Sequence, residues 1–152
     1  MATIRVQEAD FDVGAEIAAL TAGRTDIGGI GCFVGTVRDR ADGRAISAMT
    51  LEHYPAMTER AMAAIAAEAE ARWQLLGCTL VHRVGTLAPG APIVLVLAAA
   101  AHRQAALDAT AFLIDWLKTR APFWKKEQFA DGAEAWVAAQ EADDQAASRW
   151  GG

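Results

Sequence analysis

Lys118, Arg120, Lys125 and Lys126 fall within nine positions of one another, interleaved with Pro122, Phe123 and Trp124 in "LKTRAPFWKKEQF". The 152-residue chain that holds them carries a net charge of −5, so this basic cluster stands against the charge of the whole and points to an anionic ligand. Lysines and arginines serve anions differently. Arg offers a fixed fork of donors suited to phosphate and carboxylate, whereas Lys is a compact charge that moves protons where burial and cationic neighbours lower its pKa. Packing of Lys118 and Lys125 beside Arg120 and Lys126 is the expected source of such lowering.

A second cationic site is marked by His102 and Arg103 in "AAAAHRQAAL". There an apolar run feeds a helix, whose free backbone N–H groups and positive dipole end favour a phosphate or carboxylate. Read alone, each cation also has a plain structural role: Lys118 complements a helix C-terminus, His102 caps or packs, and Arg103 makes a surface ion pair. Arg103 and Lys118 lie fifteen residues apart on one predicted helix, about 22 Å at about 1.5 Å per residue. If both serve one small ligand, the expectation is a homodimer in which Arg103 of one subunit completes the pocket holding Lys118 of the other.

The elements that must position these groups follow from periodicity. Strands are predicted over 3–7, 28–37, 45–54, 79–85, 92–100 and 123–129, with 133–137 answering the last across the Asp131-Gly132 turn. On the 123–129 strand Lys125 and Lys126 point to opposite faces, so only one of them readily joins Lys118. The Asp-Gly signal in "RDRADGR" predicts a hairpin between 28–37 and 45–54, with Arg38, Arg40 and Arg44 at its tip.

Helices are predicted over 13–22, ended by Gly23, from Pro55 to about 76, and over 102–120 until Pro122 stops it. The second buries Met62, Ile65, Ala69, Trp73 and Leu76 and pairs Glu68 with Arg72 on its other face. The third buries Ala105, Ala109, Phe112, Leu113, Trp116 and Leu117. Met57 is assigned to packing with Met62, and residues 141–152 form a polar helix or frayed tail. Adjacent strands joined as hairpins, without a Gly-rich βαβ fingerprint, favour an α+β fold with a largely antiparallel sheet in one domain, 1–152.

Composition narrows the function classes. At 53% hydrophobic and 22% charged the chain is globular, and "MATIRVQEADFDVG" carries no secretory pattern, so a cytoplasmic protein with no membrane span is expected. Cys32 and Cys78 lie in no CxxC or Cys/His cluster and are expected to be small buried residues; His53 and His82 lack a third ligand, and no metal or cofactor is expected. A nucleic-acid module would use a basic cluster with aromatics, but four cations on an acidic chain are a small footprint. Phe123 and Trp124 are better core residues than stacking platforms.

In their order and spacing, "FVGTVRD", "MTLEHYPAMTERAM", "EAEARW", "HRVGTLAPG", "AHRQAALDA", "IDWLKTRAPFWKKE" and "DGAEAWV" resemble the large catalytic subunit family of molybdopterin synthase, from about residue 3 to Trp150. The resemblance implies an α/β hammerhead fold and a sulfurtransferase of molybdenum cofactor biosynthesis. Such enzymes convert cyclic pyranopterin monophosphate, or precursor Z, into molybdopterin. The sulfur comes from the thiocarboxylated C-terminal glycine of a small ubiquitin-like subunit, within a heterotetramer built on a homodimer of large subunits.

Carried onto matching positions, Lys118 and Lys125 are the catalytic lysines, and Thr36, Val37, Arg38, His102, Arg103, Lys126 and Glu127 join them in contacting substrate. The expected division gives Lys118 acid/base work at the reacting carbon and Lys125 the thiocarboxylate or a developing oxyanion, with the exchanged assignment open. A noncatalytic anion-binding scaffold is the alternative. Gly151-Gly152 departs from the family ending in "RW"; it resembles a sulfur carrier's terminus, but no ubiquitin-like domain precedes it, and it is expected to be a tolerated extension.

Overall fold

The computed structural model describes residues 2–137 and 141–151. In chain order the elements are β1 (Thr3–Gln7), α1 (Val13–Thr21), β2 (Gly29–Thr36), β3 (Arg40–Ala41), β4 (Arg44–His53), α2 (Pro55–Trp73), β5 (Gly77–Arg83), β6 (Gly85–Leu87), β7 (Pro92–Ala100), α3 (Arg103–Thr119), β8 (Phe123–Phe129), β9 (Glu134–Trp136) and α4 (Glu141–Ser148). One sheet runs β1-β5-β7-β2; the other runs β3-β4-β8-β9, with β6 also paired to β4. Apart from the parallel β1–β5 pair, the pairings are antiparallel, as the α+β reading expected.

The first sheet is covered on both faces. Cys78, Leu80, Val94, Val96 and Ala98 meet Met62, Ile65 and Ala69 of α2 and Ala109, Phe112 and Leu113 of α3. On the opposite face Val81, Leu95 and Leu97 meet Val13, Ile17 and Leu20 of α1. Alternate residues of β5 and β7 therefore feed two cores, which is why these strands read as continuous apolar runs. Local signals set the helix starts: the Asp12 side chain accepts from Ala15 N, and Pro55 occupies the first turn of α2.

The expected hairpin between residues 28–37 and 45–54 does not form. Asp42 and Gly43, with φ of 51° and 77°, close a two-residue turn that joins only β3 to β4, while β2 lies against β7. The reason is packing: Gly31 lets α3 settle directly on β2, and Val37, 2% exposed, leads the chain from the first sheet toward the second. Arg38 accordingly leaves the hairpin tip. Arg40 donates to the Gly43 carbonyl at 3.2 Å, and Arg44 pairs with Asp131 at 3.0 Å while stacking over Phe129.

Several side-chain assignments also change. Glu68 pairs with Arg120 at 3.7 Å, and Arg72 instead donates to the Trp150 carbonyl at 2.9 Å and covers the Trp73 and Trp150 rings. An aromatic groove and a carbonyl hold a guanidinium better than an exposed i,i+4 carboxylate, which contributes only about 0.2–0.5 kcal/mol. Ala106 takes the buried place expected of Ala105, and Leu76 lies beyond the end of α2. Met57 is exposed. Cys78 is buried but Cys32 is exposed, because Gly31 faces α3 and its neighbour on this edge strand must face away. After α4, Trp150 docks edge-on against Trp73 and Phe112 and donates to Asp115 at 2.7 Å.

Candidate active site

A cleft of about 490 Å³ opens where the two sheets meet the C-terminal end of α3. Its cations come from three segments. Thr36 and Arg38 stand at the exit of β2, Lys118 in the last turn of α3, and Lys125 and Glu127 on one face of β8; Asp42, from the β3–β4 turn, adds a second carboxylate.

The turn between α3 and β8 brings the two lysines together. Arg120 N donates to the Trp116 carbonyl at 2.7 Å, Pro122 ends the helix, and Phe123 N returns to the Ala121 carbonyl at 2.9 Å. β8 then pairs with β4, placing Phe123 opposite His53 and Lys125 opposite Leu51. Strand alternation carries Phe123, Lys125 and Glu127 to the cleft face and turns Lys126 away. Lys126 lies 3.8 Å from Glu134 and 5.6 Å from the Trp136 ring centre. Arg120 stacks over Trp116 at 4.0 Å, so neither it nor Lys126 is the cationic neighbour expected beside the lysines. Arg38 is the other cation lining the cleft with Lys118 and Lys125.

The other assigned residues lie elsewhere. Val37 is a core side chain, packed with Leu51, Leu87 and Ile93, and its backbone bonds Ala91 and Gly90. His102 and Arg103, both exposed, begin α3 at the end opposite Lys118, about 22 Å away at about 1.5 Å per residue. His102 is the N-cap but makes no side-chain capping bond. Trp124 points away from Lys125 and meets Tyr54 edge-on at 4.7 Å.

His82 was assigned no role from sequence, yet it lines this cleft. It is 6% exposed and stacks on Phe123 with ring centres 3.7 Å apart and planes at 15°. Its Nδ1 lies 2.8 Å from the Arg83 carbonyl, which can only accept, so Nδ1 carries the proton. Burial pushes the imidazole pKa down to about 4; the Arg83 bond opposes the shift, and Lys125, His53 and Lys118 add to it. The available sequence signal was alternation in "GCTLVHR", which sets His82 on the same face as buried Cys78 and Leu80.

This burial has a consequence for stability. Above pH 6.5 the ring is neutral folded or unfolded. As pH falls from 6.5 toward 4 the unfolded chain takes up a proton that the folded one refuses, so folding weakens. By pH 4.5 the loss attributable to His82 is about 2–3 kcal/mol, at about 1.4 kcal/mol per pH unit. Urea unfolding of wild type and His82→Gln at pH 7 and 4.5 checks this: wild type should lose more by that amount, and equal losses would refute the assignment.

Among the described residues no group of three His, Cys, Asp or Glu side chains could hold a metal ion, and no helix is long and apolar enough to cross a membrane. The cleft sets Arg38, Lys118 and Lys125 beside Phe33 and Ile114, a lining suited to an anion that also offers apolar surface.

Comparison with known proteins gives one consistent picture. The family model described as MoaE protein matches residues 6–120. A molybdopterin synthase catalytic subunit from Mesorhizobium japonicum is 58% identical over 149 residues, covering 97% of this chain and 92% of the relative. One from Ralstonia nicotianae is 57% identical over 151 residues, covering 99% and 85%. The solved structure of the molybdopterin biosynthesis MoaE protein from Burkholderia ambifaria superposes with a TM-score of 0.85 at 53% identity, covering 100% of this chain and 99% of that one.

Proposed function

Because this chain belongs to the MoaE protein family, we propose that it is the catalytic subunit of a molybdopterin synthase, a cytoplasmic sulfurtransferase of molybdenum cofactor biosynthesis. The substrate is cyclic pyranopterin monophosphate, and the sulfur donor is the thiocarboxylated C-terminal glycine of a small carrier subunit. The observation that carries this reading is the convergence of Lys118, Lys125 and Arg38 on one cleft from three separate elements.

The chemistry asks for those charges. The carrier's sulfur bonds to a substrate carbon as a C–O bond of that carbon breaks, its oxygen leaving protonated or on the phosphate. Water then cleaves the acyl–sulfur bond, leaving sulfur on the pterin side chain and returning the carrier as a carboxylate, and a second thiocarboxylated carrier delivers the second sulfur in the same way. Both stages develop negative charge on oxygen, which ammonium groups held in place stabilise without reorganisation. Lys118 moves the proton at the reacting carbon and Lys125 holds the thiocarboxylate or the oxyanion, or the two exchange these roles. Arg38, exposed beside them, is suited to the cyclic phosphate.

Arg103 and His102 enter this scheme only from a second copy. In a homodimer they complete the partner's cleft, and each dimer takes one carrier subunit per active site. The test is a single-turnover reaction of the purified protein with cyclic pyranopterin monophosphate and thiocarboxylated carrier, with sedimentation of the same sample. Dithiolene product from a dimer is the expected result. No product from a verified carrier complex would overturn the enzyme reading, and an active monomer would remove Arg103 from the site.

A further inference from the structure

The cleft holds an acceptor that the proposed chemistry leaves unused. His82 Nδ1 is committed as a donor to the Arg83 carbonyl, so Nε2 of the neutral ring keeps its lone pair. Among the described residues the ring makes no second hydrogen bond, and Nε2 is not one of the side-chain atoms sealed from solvent without a partner. The stack on Phe123 fixes the ring plane, and the Nδ1 bond fixes its rotation. Orientation and tautomer are thus both set before any ligand arrives.

The character of this acceptor matters among Arg38, Lys118 and Lys125. Glu127 and Asp42 already line the cleft, and a further carboxylate at this place would cancel more of the positive field that draws a phosphate. A charged imidazole would offer only donors. A neutral imidazole accepts while leaving the field intact, and burial beside two lysines keeps it neutral at physiological pH. It therefore answers a part of the ligand different from the anion: an N–H or O–H edge.

We propose that His82 is a substrate-positioning residue, accepting at Nε2 a hydrogen bond from an N–H or O–H of the pterin-type substrate while the cations hold its phosphate. The inference rests on the function proposed above. A pterin carries ring N–H and amino donors beyond the reach of phosphate recognition, and a buried donor left without an acceptor is costly, so His82 separates the substrate from phosphorylated analogues lacking that edge.

The test compares two ligands, cyclic pyranopterin monophosphate kept anaerobic and inorganic phosphate, by calorimetry on wild type, His82→Leu and His82→Gln. His82→Leu should weaken the pterin by roughly 10-fold or more while leaving phosphate unchanged, and His82→Gln, whose Oε1 can stand near Nε2, should recover most of the loss. A purely structural role would weaken both ligands together. In 15N-labelled wild type the His82 Nε2 resonance should move on adding the pterin and stay on adding phosphate, a readout that needs no variant to fold.

Unchanged pterin affinity in His82→Leu, parallel loss of both ligands, or a stationary Nε2 resonance would each overturn the proposal. If wild type fails to bind the pterin at all, the synthase reading falls and this inference falls with it. Wild-type binding without the His82 effects removes the inference alone.

Discussion

Lys118→Ala should lower the single-turnover rate of dithiolene formation by on the order of 10²–10³-fold, the scale of removing a proton-transfer group or an oxyanion partner. Folding should hardly register the change. Lys118 is exposed in the last turn of α3, where its charge complements the helix dipole by about 0.3–1 kcal/mol, so the melting temperature should fall by no more than about 4 °C. Lys125→Ala should act on a similar scale, and the double variant should be far less than multiplicative if both lysines serve one step. Lys118→Arg separates the two roles. A guanidinium keeps charge but does not give up its proton, so it restores activity only if Lys118 acts as a fixed cation and Lys125 is the proton donor. Wild-type turnover in folded Lys118→Ala would remove Lys118 from the mechanism.

The parts of this site that could be read from sequence are those governed by neighbours along the chain. Alternation in "FWKKEQF" separates Lys125 from Lys126, and Pro122 ends a helix carrying Lys118, because both effects act within a few residues. Which lysine faces the cleft is decided at long range, by Phe123 stacking on His82 from β5 and by β8 pairing with β4. The same limit explains the hairpin. Asp42-Gly43 announces a turn truthfully, but a turn does not say how far its strands extend, and β2 finds β7 because its glycines let α3 lie on it. His82 is hidden in the sequence for a related reason: a histidine on an apolar strand face reads as core until the cleft beside it is seen. The 22 Å between Arg103 and Lys118 was the opposite case, since helical rise alone was enough to place them apart.

The close seat of α3 on β2 leads to the second large effect. A Cβ added at Gly31 would stand 2.1 Å from Thr110 Oγ1 and 2.5 Å from the Ala106 carbonyl oxygen. The hydroxyl is itself tied to that carbonyl at 2.7 Å, and the carbonyl belongs to helical backbone, so neither gives way by a rotamer change. Gly31→Ala therefore forces α3 away from the sheet. Overpacking of this kind costs about 1–3 kcal/mol, equivalent to a melting-temperature loss of roughly 2–12 °C in a chain of this size. Lys118 lies eight residues, about 12 Å, further along the same helix, so the displacement should reach the cleft and lower turnover as well. Thr110→Ala added to Gly31→Ala should recover only part of the stability, because the Ala106 carbonyl still obstructs. Gly43→Ala is the instructive contrast: it has nothing within 4 Å, and its cost comes from the positive φ of an exposed turn. Calorimetric melting of the three variants distinguishes them, and wild-type stability in Gly31→Ala would show that α3 has slack on this sheet and that Lys118 is positioned chiefly from the Pro122 side.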